Sequence, residues 1–266
     1  MARSALMNVM VQAVMKAGRG LARDFGEVQN LQVSVKGPGD FVSQADLRAE
    51  QVLRAELERA RPGYGFLLEE GGEIAGDDAQ HRWIIDPLDG TTNFLHGVPH
   101  FAISVALERQ GQLVAAVIFN PATDELYTAE KGAGAFLNDR RLRVAGRKVL
   151  SDCIVGCGVP HLGRGDHGRF LVQLRNVMTE TVGIRRGGAA ALDLAYVAAG
   201  RLDGYWEEWI SPWDMAAGIL LVREAGGFVT DLSGGSDMFG RGDIIAGNEA
   251  IHRALMATVN KPLVKS

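Results

Sequence analysis

Residues 83–94 read W-I-I-D-P-L-D-G-T-T-N-F, and the rest of the chain is best read outward from this stretch. Trp83, Ile84 and Ile85 form an apolar run with the side-chain character of a buried strand. The run ends in a carboxylate, Asp86, and a second, Asp89, follows three residues on. Pro87 argues against the strand continuing, because it has no N–H to give a ladder. Gly90 permits a tight backbone, and Thr91 and Thr92 offer hydroxyls that cap a helix or reach a ligand. Two acids held together at a strand end repel each other unless something positive lies between them. A divalent cation with oxygen ligands suits that place. A plain Asx turn accounts for the same residues, since Asp, Pro and Gly cluster in turns.

Four more acids stand at the ends of three apolar elements. F-L-L-E-E-G (66–71) sets Glu69 and Glu70 after a second apolar run. W-I-S-P-W-D (209–214) sets Asp214 at the start of a strongly patterned helix. V-S-Q-A-D (42–46) places Asp46 near another helix start, where Ser43-x-x-Asp46 also reads as a capping box. A site holding several ions through oxygen ligands needs acids gathered in this way.

In this order the sequence resembles the inositol monophosphatase family of magnesium-dependent phosphatases. D-P-L-D-G-T-T-N-F (86–94) matches its first signature and W-D-M-A-A-G-I-L-L-V-R-E-A-G-G (213–227) its second, within a match over residues 36–248. R-R-G-G-A-A-A-L-D-L-A-Y-V-A-A-G (185–200) resembles the bacterial members, one of which is associated with transcription antitermination. The resemblance implies an α/β (α+β) fold, a layered α/β/α/β/α sandwich of the sugar-phosphatase type. It implies hydrolysis of small phosphate monoesters, myo-inositol monophosphate first, with two or three Mg2+ ions per site and lithium sensitivity. Other sugar or nucleotide phosphatases of the superfamily are the alternative. So is an interaction protein that binds RNA polymerase or an antitermination factor and retains the site.

Residue by residue, the resemblance assigns Glu69, Asp86 and the Leu88 carbonyl to a first metal, and Asp86, Asp89 and Asp214 to a second. A third, weaker ion shares Glu69. The Thr91 hydroxyl stands beside the water that attacks phosphorus, with Asp46 orienting it, and Glu69 completes the catalytic set. Glu69, Leu88, Asp89, Gly90 and Thr91 surround the phosphate. Gly188, Ala189, Ala190, Glu207 and Asp214 meet the rest of the substrate. Ala189 departs from the family's usual Ser or Thr, so a hydroxyl contact is lost. Glu207 is preferred to Glu208 because it lies seven positions before Asp214. Glu70 is expected to support Thr91 or a metal water. Lys36 matches a lysine near the third metal, or is a solvated loop lysine.

The pattern along the chain fits this outline. Apolar residues at helical spacing predict helices over 6–21, 43–59, 189–199, 213–225 and 248–259. Residues 28–41 read as irregular, with a K-G-P-G loop at 36–39. Closely spaced apolar runs over 101–144 predict an antiparallel sheet, and strands alternate with helices after Ser151. One domain is expected over 1–266, in two tightly joined halves, 1–150 and 151–266. A homodimer is expected through apolar surface on the antiparallel middle and on the strand within 153–160, with Arg185 and Arg186 nearby.

Composition sets the remaining bounds. The 266 residues are 47% hydrophobic and carry a net charge of −4, so no general attraction to nucleic acid or to an anionic membrane is expected. Cys153 and Cys157 are too few for a disulfide framework and read as reduced thiols of a cytoplasmic protein. No window is apolar enough to span a membrane, and the N-terminus lacks the pattern of a signal peptide. His96 and His100 have zinc-like spacing, but Pro99 breaks the helix face between them.

Overall fold

The computed structural model describes residues 3–27, 40–161 and 163–262 together with 33–37, the segments 33–37 and 40–42 as backbone only. Helix α1 (Ala5–Phe25) starts at Ser4, whose hydroxyl accepts the Met7 N–H at 3.0 Å. It buries Met10, Val14, Ala17 and Leu21, the stripe its spacing predicts. Strands β1 (Val33–Gly37) and β2 (Asp40–Ser43) pair antiparallel with Val33 opposite Ser43. The expected irregular stretch therefore contains a hairpin: V-S-V and F-V supply β-formers on either side of the glycines. The side chain of Lys36, and residues 38–39, lie outside the described residues. Helix α2 (Gln44–Ala60) follows directly, with Ser43 and Asp46 closing the predicted capping box.

Helices α1 and α2 cover one face of an eight-stranded sheet. Its strands are β3 (Tyr64–Leu68), β4 (Gly72–Ile74), β5 (Asp78–Asp89), β6 (Ala102–Arg109), β7 (Gln112–Asn120), β8 (Glu125–Glu130), β9 (Gly134–Leu137) and β10 (Arg140–Arg141). They lie in the order β10-β9-β8-β7-β6-β5-β3-β4. The predicted antiparallel sheet is present from β5 to β10, whereas β3 and β5 run parallel. Short β4 reverses on the outer edge of β3, so the chain returns on the other side in the original direction.

Pro87 does not end β5. The ladder with β6 pairs Asp86 with Ser104 and Asp89 with Ala102, so one extra residue is absorbed between the acids. Such a bulge tolerates proline and re-aims the side chains around it.

The second sheet contains β11 (Ile154–Cys157), β12 (Gly183–Arg185), β13 (Gly204–Glu208), β14 (Phe228–Thr230) and β15 (Asp243–Gly247), in the order β12-β11-β13-β15-β14. Helices α5 (Ala190–Ala198) and α6 (Pro212–Glu224) lie between the two sheets, and α4 (His167–Met178) and α8 (Glu249–Val259) cover the far face. Short α3 (Thr91–Leu95) follows β5, and α7 (Met238–Arg241) precedes β15. The layers are thus α/β/α/β/α, as expected. In α6 all eight residues from Met215 to Val222 are buried, because a helix between two sheets has no wet face. Helix α4 went unpredicted: Phe170 and Val177 are its only buried apolar residues, too few for a clear stripe.

The expected places for spare apolar surface are covered. Strands β6 and β7 are buried along most of their length, and β11 is flanked by β12 and β13. Exposed apolar side chains gather instead at Leu171, Met178 and Val182, on and after α4 and beside edge strand β12. Among the described residues no helix is long and apolar enough to cross a membrane.

The middle layer depends on a close approach of α5 and α6. A Cβ at Gly218 would stand 2.5 Å from Leu194 Cδ1 and 2.6 Å from Leu194 Cβ. Gly218→Val is therefore expected to cost about 1–3 kcal/mol through overpacking. Thermal or urea denaturation reads this directly, and a melting curve that overlays the parent would refute it.

Candidate active site

A cleft of about 780 Å³ opens where β5 and β13 end and α3, α5 and α6 begin. Glu69, Asp86, Leu88, Asp89, Gly90 and Thr91 line one part of it. Gly188, Ala189, Ala190, Glu207 and Asp214 line the other. Of the expected metal, catalytic and substrate residues only Asp46 is absent from its wall, and Glu70, expected in support of them, does not line it either. Asp46 stands behind Thr91, 0% exposed.

Asp86 is 1% exposed, and Oδ1 accepts the Leu88 N–H at 2.9 Å. The turn reading of this motif is therefore also correct, since the aspartate closes an Asx turn across the bulge. Burial, and then the charges of Glu69, Asp89 and Asp214, hold the Asp86 carboxyl well above the usual carboxylate range. Asp89 is raised in the same way, by burial first and by Asp214 next.

Asp89 also closes a gap that Ala189 leaves. Ala189 is the N-cap of α5 and makes no side-chain cap bond. A serine or threonine cap accepts from the second or third amide of its helix and contributes about 1 kcal/mol. Here the second amide, that of Ala191, donates to Asp89 Oδ2 at 2.7 Å. A carboxylate 102 residues away in sequence replaces the missing hydroxyl and joins the first sheet to the middle layer.

Thr91 Oγ1 lies 3.0 Å from Asp46 Oδ1 and 3.0 Å from the Leu88 carbonyl, so one hydroxyl proton is shared between two acceptors. Asp46 Oδ2 accepts the Ser43 N–H at 3.0 Å and the Ser43 hydroxyl. Asp46 thus caps α2 and holds Thr91 at once. Burial raises its pKa, and the bonds from Ser43 and Thr91 oppose that rise. Gly90 precedes Thr91 at φ +89°, where a Cβ would meet the His100 carbonyl oxygen at 3.0 Å. Helix α3 has only five residues, so any phosphate there meets the amides of a turn rather than the field of a long helix.

Asp214 repeats the arrangement of Asp46. Its Oδ2 accepts the Ser211 N–H at 2.7 Å, in a second capping box that opens α6. Glu207 lies across the cleft on β13 and accepts the Tyr205 hydroxyl. Burial first, with Asp214 and Asp193 adding repulsion, pushes its pKa up to about 7.

Sequence reasoning passed over other groups in the cleft. Asp193 sits 3.3 Å from His100 Nε2, and burial raises its pKa against the pull of His100 and Arg186. His161, Arg164, Arg186 and Trp209 line the wall nearest Glu207. Asp193 alone had a sequence signal, since it opens the first turn of a predicted helix as the only acid in an otherwise apolar segment. His96 and His100 do not form a zinc pair: His96 bonds the Thr92 carbonyl while His100 faces Asp193.

Oxygen donors that repel one another in a buried space fit a hard divalent cation, which replaces that repulsion with attraction. Among the described residues they do not close into a finished ligand cage. The fit is one of charge and donor type.

The model of the Inositol monophosphatase family matches residues 2–264. The chain is 72% identical to the inositol-1-monophosphatase of Mesorhizobium japonicum over 263 residues, 99% of each chain. It is 45% identical to the Nus factor SuhB of Pseudomonas aeruginosa, covering 98% of each. The crystal structure of the extragenic suppressor protein suhB from Bartonella henselae superposes with a TM-score of 0.96 at 64% identity, covering 98% of this chain and 100% of that one. On the whole-length match and on the shared fold, this chain belongs to the inositol monophosphatase family.

Proposed function

We propose that the chain is a magnesium-dependent hydrolase of small phosphate monoesters, with myo-inositol monophosphate as its leading substrate. The observation that carries this reading is the meeting of Glu69, Asp86, Asp89 and Asp214 in one cleft beside the Thr91–Asp46 pair. Two or three Mg2+ ions are expected, the first on Glu69, Asp86 and the Leu88 carbonyl, the second on Asp86, Asp89 and Asp214. When bound, they offset the phosphoryl charge, acidify water and stabilise the leaving oxygen.

The chain's own groups do the positioning. Ionised Asp46 accepts the hydrogen bond of the Thr91 hydroxyl, which leaves the Thr91 Oγ1 lone pairs to accept from the attacking water and fix its line of approach. The turn amides of Gly90 and Thr91 face the phosphate. The amides around Gly188, Ala189 and Ala190, with Glu207, take the hydroxyls of the leaving alcohol. Because Ala189 offers no hydroxyl, the alcohol is held there by backbone alone.

A homodimer in the cytoplasm belongs to the same proposal, with Leu171, Met178 and Val182 beside β12 as the apolar surface it would cover. The two free cysteines agree with a reducing compartment, and burial pushes Cys153 up to about 11 and Cys157 up to about 12. A second reading, partnership with RNA polymerase or an antitermination factor, rests on relatives named Nus factor SuhB at 40–45% identity. Affinity purification of the tagged chain, probed for polymerase subunits, tests it.

Phosphate release from inositol, sugar and nucleotide monophosphates with Mg2+ tests the main reading, and no release from any of them would end it. Lithium is expected to inhibit, and a flat titration would count against the second metal position.

Asp89→Asn separates structure from chemistry, because asparagine Oδ1 still accepts the Ala191 N–H. The variant should fold normally yet lose activity by about 10²-fold or more through the missing charge. Near-parent turnover would remove Asp89 from the metal set. Thr91→Ala should lower kcat by about 10²-fold with little change in KM, as expected for a group that acts in the transition state. A change confined to KM would return Thr91 to the role of a helix residue.

The raised carboxyls also fix a pH dependence. Asp86, Asp89 and Glu207 hold protons in the fold at pH values where the unfolded chain has released them. Their contribution is full below about pH 4 and is lost as pH rises, for Glu207 over the window from 4.5 to about 7. The metal-free protein should therefore lose stability from pH 5 to 8. Mg2+ should raise the melting temperature more at pH 8 than at pH 5, because cation and protons compete for the same oxygens. A larger Mg2+ effect at pH 5 would contradict the proposed ligands.

A further inference from the structure

Trp209 stands in the connection from β13 to α6, on the rim of the cleft. Its φ is +68°, a conformation that suits glycine and strains a bulky side chain. The residue is 56% exposed, so burial of the indole does not offset that strain. Strain of this kind persists where the surrounding structure holds a side chain for contact. Gly165 passes close beside the ring, where a Cβ would stand 3.3 Å from Trp209 Cδ1 and 2.8 Å from Pro160 Cβ.

His161 also lines the cleft. At about 780 Å³ the cleft lies in the upper part of the range for small-molecule sites, with room beyond the phosphate for more than a compact polyol.

We propose that Trp209 is a specificity-determining residue that stacks on a flat ring carried by the leaving alcohol, beyond the carbon that bears the phosphate. An aromatic face accepts any planar partner and gains from its desolvation, so the preference is for ring-bearing phosphate monoesters over short-chain ones. This inference rests on the phosphatase reading above.

The test compares the parent, Trp209→Gly and Trp209→Phe on adenosine 2′-monophosphate, which carries a flat ring, and glycerol 2-phosphate, which does not. Glycine suits φ +68°, so the variant is expected to fold, and a thermal melt checks this. The ratio of kcat/KM for the ring substrate to that for glycerol 2-phosphate should fall about tenfold in Trp209→Gly, mainly through KM. Phenylalanine should restore most of it. An unchanged ratio in Trp209→Gly, or an equal fall in both variants, overturns the inference. If the parent releases phosphate from neither compound, the phosphatase reading has failed only when myo-inositol monophosphate is also left intact, and binding replaces turnover as the readout. Calorimetric binding of adenosine 2′-monophosphate then decides: weaker binding to Trp209→Gly sustains the stacking role, and equal affinities end it.

Discussion

Like charges held together in a buried space are the constraint around which this structure is organised. Asp86 and Asp89 are largely withdrawn from water and face Glu69 and Asp214, so ionisation of each is opposed by burial and by its neighbours. The fold gives each aspartate of the site a fixed backbone donor. Leu88 N–H binds Asp86, Ala191 N–H binds Asp89, Ser211 N–H binds Asp214 and Ser43 N–H binds Asp46. A hydrogen bond to a charged group contributes about 1.5–3 kcal/mol, enough to hold an oxygen still but not to cancel the burial of a charge. Catalytic geometry and helix capping are therefore the same set of bonds.

That economy explains why the cleft lies between layers. Asp46 and Asp214 sit at the third position of α2 and α6, where a short acid reaches back to the cap residue. Asp86 and Asp89 sit on either side of a bulge at the end of a central strand, in reach of the first turn of α5. Three helix starts and one strand end converge because α5 and α6 lie sandwiched between the sheets, with Gly218 setting how closely the two helices approach. Ala189 shows the cost and remedy in one place. Its missing hydroxyl leaves an amide to be satisfied, and the site's own Asp89 satisfies it.

The β13 side of the cleft is built differently. Buried Tyr205 and Asp193 and half-buried Glu207 constrain one another, whereas Arg164 and Trp209 face solvent. Such a division sets fixed polar groups against side chains open to solvent. The strained backbone of Trp209 belongs to this exposed side.

Much of this was legible in the chain itself. Apolar periodicity predicted α1, α2, α5, α6 and α8, and the motifs at 86–94 and 213–227 named the acids, because capping boxes, turns and metal ligands draw on the same few residue types at fixed local spacing. What local spacing cannot carry is which distant elements meet. Only the tertiary structure decided that β5 runs on through Pro87 by a bulge, that β3 and β5 are parallel, and that Asp89 caps a helix 102 residues away. It also decided that Asp193 faces His100, and that Leu171 and Met178 are left exposed on α4 while the central strands are covered. Each of these depends on long-range packing, where burial on both sides of a layer selects among partners that the sequence alone leaves equivalent.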